Sequence, residues 1–352
     1  MNVLINGRFL TRKTTGVDRY AREIIKQLDE LTYYSAIEMY LVYPAGVKIE
    51  QPLHLNRIRP LPWGSHSGTF WEQFEFPKAL KKYNGIGLNL CGSGPLVNPG
   101  IICIHDVSTR VNPHFFSRSF SLWHNIRLLF LTRRAKCVIT VSRFSKRELE
   151  TYYLVTKGKI YVAPPAWQHM NEVQGDNDIF SKYPVLDDRP FYYALSSLAP
   201  NKNLPWLIET AKRNSDCTIA IAGGVDQRIF GQEQPDGVDN TLFLGYVSDG
   251  ESKALMERCS GFLFPTFYEG FGIPPLEALS CGAQIAVSDS DVMHEVYGDS
   301  ARYIDPNIPC DTLIDLFSNE VDSAVIENTL SSYSWTKSAR IIASVLEKAH
   351  HE

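Results

Sequence analysis

No apolar run in this chain reaches the roughly 18 residues that a membrane-spanning helix requires. None of its seven cysteines (Cys91, Cys103, Cys137, Cys217, Cys259, Cys281 and Cys310) belongs to a C-x-x-C pair. Their scatter and odd number argue for reduced thiols in a cytosolic protein and against a disulfide framework or a zinc site. The nine histidines include one close pair, His350 and His351, at the C-terminus. No metal-ligand set is legible, and none is expected. No G-x-G-x-x-G follows an apolar run, which counts against a nicotinamide-linked oxidoreductase. No nucleic-acid-binding motif is present. The start, MNVLINGRFL, has too short an apolar part and no small-residue cleavage pattern, so no signal peptide is read there.

What the chain does have is length, ordinary composition and a lopsided charge. Its 352 residues, 44% hydrophobic and 21% charged, favour two globular domains. Residues 1–170 carry 23 Lys/Arg against 11 Asp/Glu, a net of +12. The remainder carries 12 against 28, a net of −16, and the two sums return −4. A phosphate-bearing substrate or an anionic membrane surface fits the basic half better than nucleic acid does.

Short apolar runs alternate with helical periodicity throughout. NVLIN (2–6), MYLVYP (39–44), IICIHD (101–106) and CVITVS (137–142) read as strands of a first half. FYYALS (191–196), CTIAIAGG (217–224), TLFLGY, GFLFP and AQIAVS repeat the logic in a second half. Val17, Tyr20, Ile24, Leu28 and Leu31 keep helical spacing after the first strand. The alternation predicts α/β architecture with parallel sheets covered on both faces: two Rossmann-like domains facing across a cleft. The expected boundaries are 1–170, a polar, proline-bounded linker at 171–190, a second domain at 191–332, and a last helix at 333–352.

One stretch carries chemistry. Residues 267–282 read FYEGFGIPPLEALSCG, with Glu269 and Glu277 separated by seven residues. The run GFLFP puts Glu269 in the loop at the carboxyl end of a strand, where open α/β sheets bind ligands. Gly270 and Gly272 allow backbone N–H groups to approach a ligand, and Pro274 and Pro275 suit a helix start. Glu277 then falls in the first turns of that helix, whose N-terminus can receive a phosphate. Two acceptors with an anion seat between them describe a well for a nucleotide sugar. Gly223–Gly224, after another strand, either meets nucleotide or only turns the chain. SFSLWHNIRLLFLTRRAK (119–136) is read as a helix that is either packed or laid on a membrane surface.

EGFGIPPLEA resembles the E-x7-E signature of retaining GT-B glycosyltransferases, specifically glycosyltransferase family 4. Other segments match in order. TTGVDRYAREI is similar to the family's glycine loop and first helix. IHD (104–106) resembles its strand-end histidine segment. TVSRFSKREL (140–149) resembles its T-V-S-x-F-S segment. LSSLAPNKNLPWLIE (195–209) resembles the donor loop with a phosphate-binding Lys. SWTKSAR resembles the closing helix that crosses back to the first domain. The resemblance thus spans nearly the whole chain.

The resemblance implies that Glu269 holds donor-sugar hydroxyls, Glu277 binds the ribose, and Lys202 neutralises the leaving diphosphate. Phe271 and Gly272 would offer amides, Gly16 would let its loop approach the phosphates, and His105 would lie beside the reacting sugar. Ser197, Asn201, Gly223, Gly224, Gly270 and Ile273 complete the expected donor set. Three departures stand out: Ser197 and Asn201 occupy positions where relatives often have Arg, and Asp18 replaces a common Gly. A second cation would then come from elsewhere, for example Arg143.

The expected activity is transfer of a hexose, with retention and without a metal or separate cofactor, to a lipid-linked oligosaccharide. The TGVDRYA start and the NKN loop look most like bacterial mannosyl- or rhamnosyltransferases of surface-polysaccharide assembly, so GDP-mannose is the favoured donor. The expected location is the cytoplasmic face of an anionic membrane, met by Trp123, Arg127, Phe130, Arg133, Arg134 and Lys136. Two other classes stay open: another enzyme on this architecture, such as a sugar-nucleotide epimerase, and a non-catalytic sugar-binding protein.

Overall fold

The computed structural model describes residues 2–12, 14–31, 37–49, 52–196, 199–223 and 238–351. The chain divides into two compact units. The first holds Met1–Pro113, Ser117–Pro165 and Ser334–Glu352; the second holds His114–Phe116 and Ala166–Tyr333.

Among the described residues the first unit has a seven-stranded sheet. Its strands are β1 (Asn2–Asn6), β2 (Glu38–Pro44), β3 (Arg59–Trp63), β4 (Gly85–Asn89), β5 (Ile101–Cys103), β6 (Cys137–Thr140) and β7 (Ile160–Val162). Every pairing is parallel, and the order is β3-β2-β1-β4-β5-β6-β7. Val3, Leu4 and Ile5 in β1 are fully buried, as a central parallel strand covered on both faces requires. The strand RPLPW was not legible from sequence because Pro60 and Pro62 interrupt it. It lies at the sheet edge, where a missing N–H donor is tolerated.

The helix Trp335–His351 belongs to this first unit. Trp335, Ala339, Ile342, Leu346 and Ala349 are buried, at steps of three and four that draw one apolar stripe. Trp335 packs edge-on against Tyr20 of the helix Gly16–Glu30, with ring centroids 5.9 Å apart. Ser338 donates to the Pro164 carbonyl at 2.5 Å.

The second unit's sheet has six described strands: β8 (Phe191–Leu195), β9 (Thr218–Ala222), β10 (Thr241–Gly245), β11 (Gly261–Phe264), β12 (Ile285–Ser288) and β13 (Arg302–Ile304). They too are parallel, in the order β10-β9-β8-β11-β12-β13. Strand order reverses between β8 and β11, so the loops leaving these two strands flank the switch point where such sheets bind ligands.

Residues 171–190, expected to be a linker, are instead folded into the second unit. Ile179, Phe180 and Leu186 are buried, and the Arg258 guanidinium stacks 3.7 Å from the Phe180 ring centroid. Lys182 pairs with Glu251 at 2.5 Å. The three apolar anchors lie on helices of five and four residues, Asp178–Lys182 and Val185–Asp188, too short to impose a period on the sequence. Among the described residues no helix is long and apolar enough to cross a membrane.

Candidate functional site

The site grows from the two loops at the second switch point. After β8 the chain forms a single turn, Pro200–Lys202, then Asn203 with φ +55°, then the helix Leu204–Arg213. The left-handed conformation suits Asn, and its buried side chain explains its presence. Asn203 Nδ2 donates to the carbonyls of Pro265, at 3.0 Å, and Pro306, at 2.6 Å. Asn203 therefore ties the β8 loop to the β11 loop. Phe267 N donates to the Asn201 carbonyl at 2.8 Å, and Asn201 Nδ2 reaches the Tyr268 carbonyl at 3.4 Å.

That docking delivers Lys202 to Glu269, with Nζ 2.6 Å from Oε1. The side chains keep 24% and 17% of their exposure, so both still face outward. The Lys202 ammonium also lies 5.3 Å from the centroid of the Phe264 ring.

Beyond Glu269 the chain turns at Gly272, with φ +85°, and enters the helix Ile273–Ser280. A Cβ at this glycine would lie 2.8 Å from Met293 Cε, and the backbone conformation itself disfavours any side chain. The Tyr297 hydroxyl donates to the Gly272 carbonyl and fixes the turn. Phe271 is buried edge-on against Tyr333, with centroids 5.1 Å apart. Pro274 and Pro275 carry no N–H, so the first turn of this helix presents only the Ile273 and Leu276 N–H groups, and its dipole favours an anion there. Ile273 is the first helical residue.

Glu277 sits one turn further on. Its Oε1 lies 2.8 Å from Nε2 of His169, a buried residue of the turn Gln168–Asn171. Residue typing and local pattern gave no sign of His169, which lies 108 positions away from its partner.

Gly223 has φ +151°, and its N–H donates to the Gly245 carbonyl at 2.8 Å, which extends the pairing of β9 with β10. Ser197 and Gly224 lie outside the described residues.

Apart from Gly270, which follows Glu269 in the second unit, the remaining expected residues are in the first unit, as is Arg143, the first residue of the helix Arg143–Tyr152. Gly16 opens its helix, and open space surrounds the position of a Cβ. Asp18 is fully buried two residues on. It accepts from Thr15 N at 3.0 Å, Thr15 Oγ1 at 2.7 Å and Arg12 Nη2 at 2.6 Å, which completes a capping box. The carboxylate that departs from the family's glycine thus holds the glycine loop onto its helix.

His105 Nε2 lies 2.8 Å from the Leu90 carbonyl, and its ring meets Tyr20 edge-on at 4.9 Å. Burial lowers its pKa below the usual histidine value, opposed by the bond to Leu90. A carbonyl only accepts, so the neutral ring carries its proton on Nε2 and offers Nδ1 as an acceptor.

Along the helix Arg118–Arg134, Trp123 and Phe130 are 58% and 43% exposed, near exposed Arg133, Arg134 and Lys136. Arg127 departs from the expected surface set. It is half-buried, burial lowers its pKa, and its Nε is enclosed without a hydrogen-bond partner among the described residues. Lys136 Nζ donates to the Ala349 carbonyl at 3.1 Å.

Comparison with known proteins agrees with this architecture. Residues 176–316 match the family described as glycosyl transferases group 1. The chain is 27% identical over 327 residues to the O-antigen chain mannosyltransferase RfbU of Salmonella typhimurium, covering 87% of each chain. It is 26% identical over 219 residues to the O-antigen chain mannosyltransferase B of Escherichia coli, covering 59% of this chain and 57% of that one. Among solved structures, the sucrose-phosphate synthase from Thermosynechococcus elongatus superposes with a TM-score of 0.74 at 13% identity over 99% of both chains. The lipopolysaccharide glycosyltransferase WaaG superposes with a TM-score of 0.62 at 14% identity, over 99% of this chain and 98% of that one. Residues 176–316 thus match the group 1 glycosyl transferases, and the two Rossmann-like units have the GT-B fold.

Proposed function

We propose that the protein transfers mannose from GDP-mannose, with retained configuration and no metal, to a lipid-linked oligosaccharide in bacterial surface-polysaccharide synthesis. The observation that carries the reading is the Lys202–Glu269 pair, brought to 2.6 Å at the switch point by two loops 67 residues apart. A diphosphate arriving there meets Lys202 and the N-terminus of the helix Ile273–Ser280, which together supply positive charge as the nucleoside diphosphate departs. Glu269 then turns to the sugar hydroxyls, and Glu277 takes the ribose. For His105 the reading keeps the role that the resemblance implies, with Nδ1 the ring atom able to accept from a sugar hydroxyl. Mannose is favoured by the likeness to RfbU over 87% of each chain.

Incubation with GDP-, UDP-, dTDP- and ADP-sugars, with nucleoside diphosphate release as readout, tests the donor. GDP release from GDP-mannose above the other donors is the expected result. Faster release from another donor would replace GDP-mannose, and no release from any would remove catalysis from the reading.

The acceptor is tethered to an anionic bilayer at its cytoplasmic face, with the protein peripheral to it. The +12 charge of residues 1–170 supports this, as do Trp123 and Phe130 exposed beside Arg133 and Arg134. Each basic side chain near such a surface contributes about 1 kcal/mol, screened by salt. Flotation with anionic vesicles should be strong at low salt and weak at high salt, and absence of binding at low salt would exclude the bilayer.

A further inference from the structure

The carboxylate of Glu277 is held on one side only. Its Oε1 is 2.8 Å from His169 Nε2, while Oε2 has no hydrogen bond among the described residues. A carboxylate has about four lone-pair directions. One is taken by histidine, and the rest stay open to hydroxyl donors.

The histidine is itself immobilised. Its side chain is 3% exposed, and the turn that carries it, Gln168–Asn171, is pinned on both sides. Trp167 Nε1 donates to the Leu330 carbonyl at 2.9 Å, and Gln168 Nε2 to the Tyr333 carbonyl at 2.8 Å. From the helix Asp249–Arg258, Lys253 Nζ donates to the carbonyls of Met170 and Val173, both at 2.9 Å. A buried imidazole on a turn anchored to two neighbouring segments is a fixed donor.

We infer that His169 is a positioning residue for the donor nucleotide: it locks one oxygen of Glu277 and aims the other at the ribose hydroxyls. Glutamate has several rotamers, and ordering it before the ligand arrives removes that entropic cost from binding. The inference rests on the reading that Glu277 receives the ribose, and it adds the residue that makes Glu277 a pre-set acceptor. The role is confined to binding. The loss of His169 should therefore raise KM for the donor and leave kcat nearly unchanged.

The test is titration with GDP, and UDP in parallel, of His169→Leu, His169→Gln, Glu277→Ala and the double variant His169→Leu/Glu277→Ala. His169→Leu removes the N–H donor and keeps the bulk, and should weaken nucleoside diphosphate binding about tenfold. His169→Gln, whose amide N–H extends to the place of Nε2, should recover affinity to within about threefold of wild type. In the Glu277→Ala background, His169→Leu should change affinity by less than about twofold, because its only route to the ligand is gone. Wild-type affinity in His169→Leu would overturn the inference. So would a loss that Gln does not rescue, or one that persists undiminished without Glu277. If Glu277→Ala itself binds both nucleotides like wild type, the ribose reading falls and the inference falls with it.

Discussion

The two sheets share one strand order over six strands, yet the polar groups at their switch points are used differently. In the first unit they bond to one another. Asn6, at the end of β1, donates to Glu72 Oε1 at 3.0 Å and to Asn89 Oδ1 at 2.9 Å. Arg8 and Ser93 donate to the same carboxylate at 2.7 Å and 2.8 Å, and Asn89 donates onward to the Pro99 carbonyl at 2.7 Å. Glu72 and Asn89 are buried. In the second unit, Lys202 and Glu269 hold each other but stay partly exposed, and Glu277 keeps an oxygen open. A closed buried network contributes order to the fold. A half-satisfied exposed one is chemistry waiting for a ligand.

Breaking each network should therefore give opposite phenotypes. Glu72→Ala leaves Arg8 without its carboxylate and Asn6 with Asn89 alone, and loss of one member of a buried pair costs about 3–5 kcal/mol. Urea denaturation should show that loss, while the GDP affinity of the folded fraction stays at the wild-type value. Wild-type stability with impaired GDP binding would invert the comparison.

Lys202→Ala should do the reverse. The pair it breaks is partly exposed, and such pairs contribute about 0–1 kcal/mol to stability. In the proposed reaction, however, its cation faces charge that develops as the diphosphate leaves. Turnover should fall roughly 10²–10³-fold, with the melting temperature nearly unchanged. Full turnover would assign the diphosphate to another cation, with Arg143 the next to test.

The burial in the first unit also makes its stability depend on pH. Burial, with a smaller push from Arg127, lowers the pKa of His124 to about 4. Between that value and about 6.5 the unfolded chain binds the proton that the folded chain refuses. Stability from this group is complete above pH 6.5 and is lost as pH falls. The expected loss from pH 7 to 5 is on the order of 1–2 kcal/mol, and His124→Gln should flatten it in a series of thermal melts. An unchanged slope in that variant would assign the acid sensitivity to other groups, such as His105.

Much of this molecule is legible in the sequence because its signals are local. Apolar runs of strand length, and the step from Gly272 through Pro274 and Pro275 into a helix, need no knowledge of distant residues. The capping box at Thr15 and Asp18 was equally available, since Thr-x-x-Asp carries the same spacing as Ser/Thr-x-x-Glu. Other features are non-local. His169 meets Glu277 across 108 positions, and it stands in a polar stretch whose few apolar anchors, Ile179, Phe180 and Leu186, are too sparse to announce a folded segment. Arg127 carries the same charge as its neighbours on one helix, but its burial depends on what that helix packs against.

The most direct measurement compares GDP affinity and turnover in Glu269→Gln. The central claim is that the second switch point holds a nucleotide sugar, with Glu269 on the sugar rather than the nucleotide. Calorimetric titration should give a GDP Kd within about threefold of wild type, while release of GDP from GDP-mannose drops at least tenfold. An equal loss in both quantities would place Glu269 on the nucleotide and contradict the account.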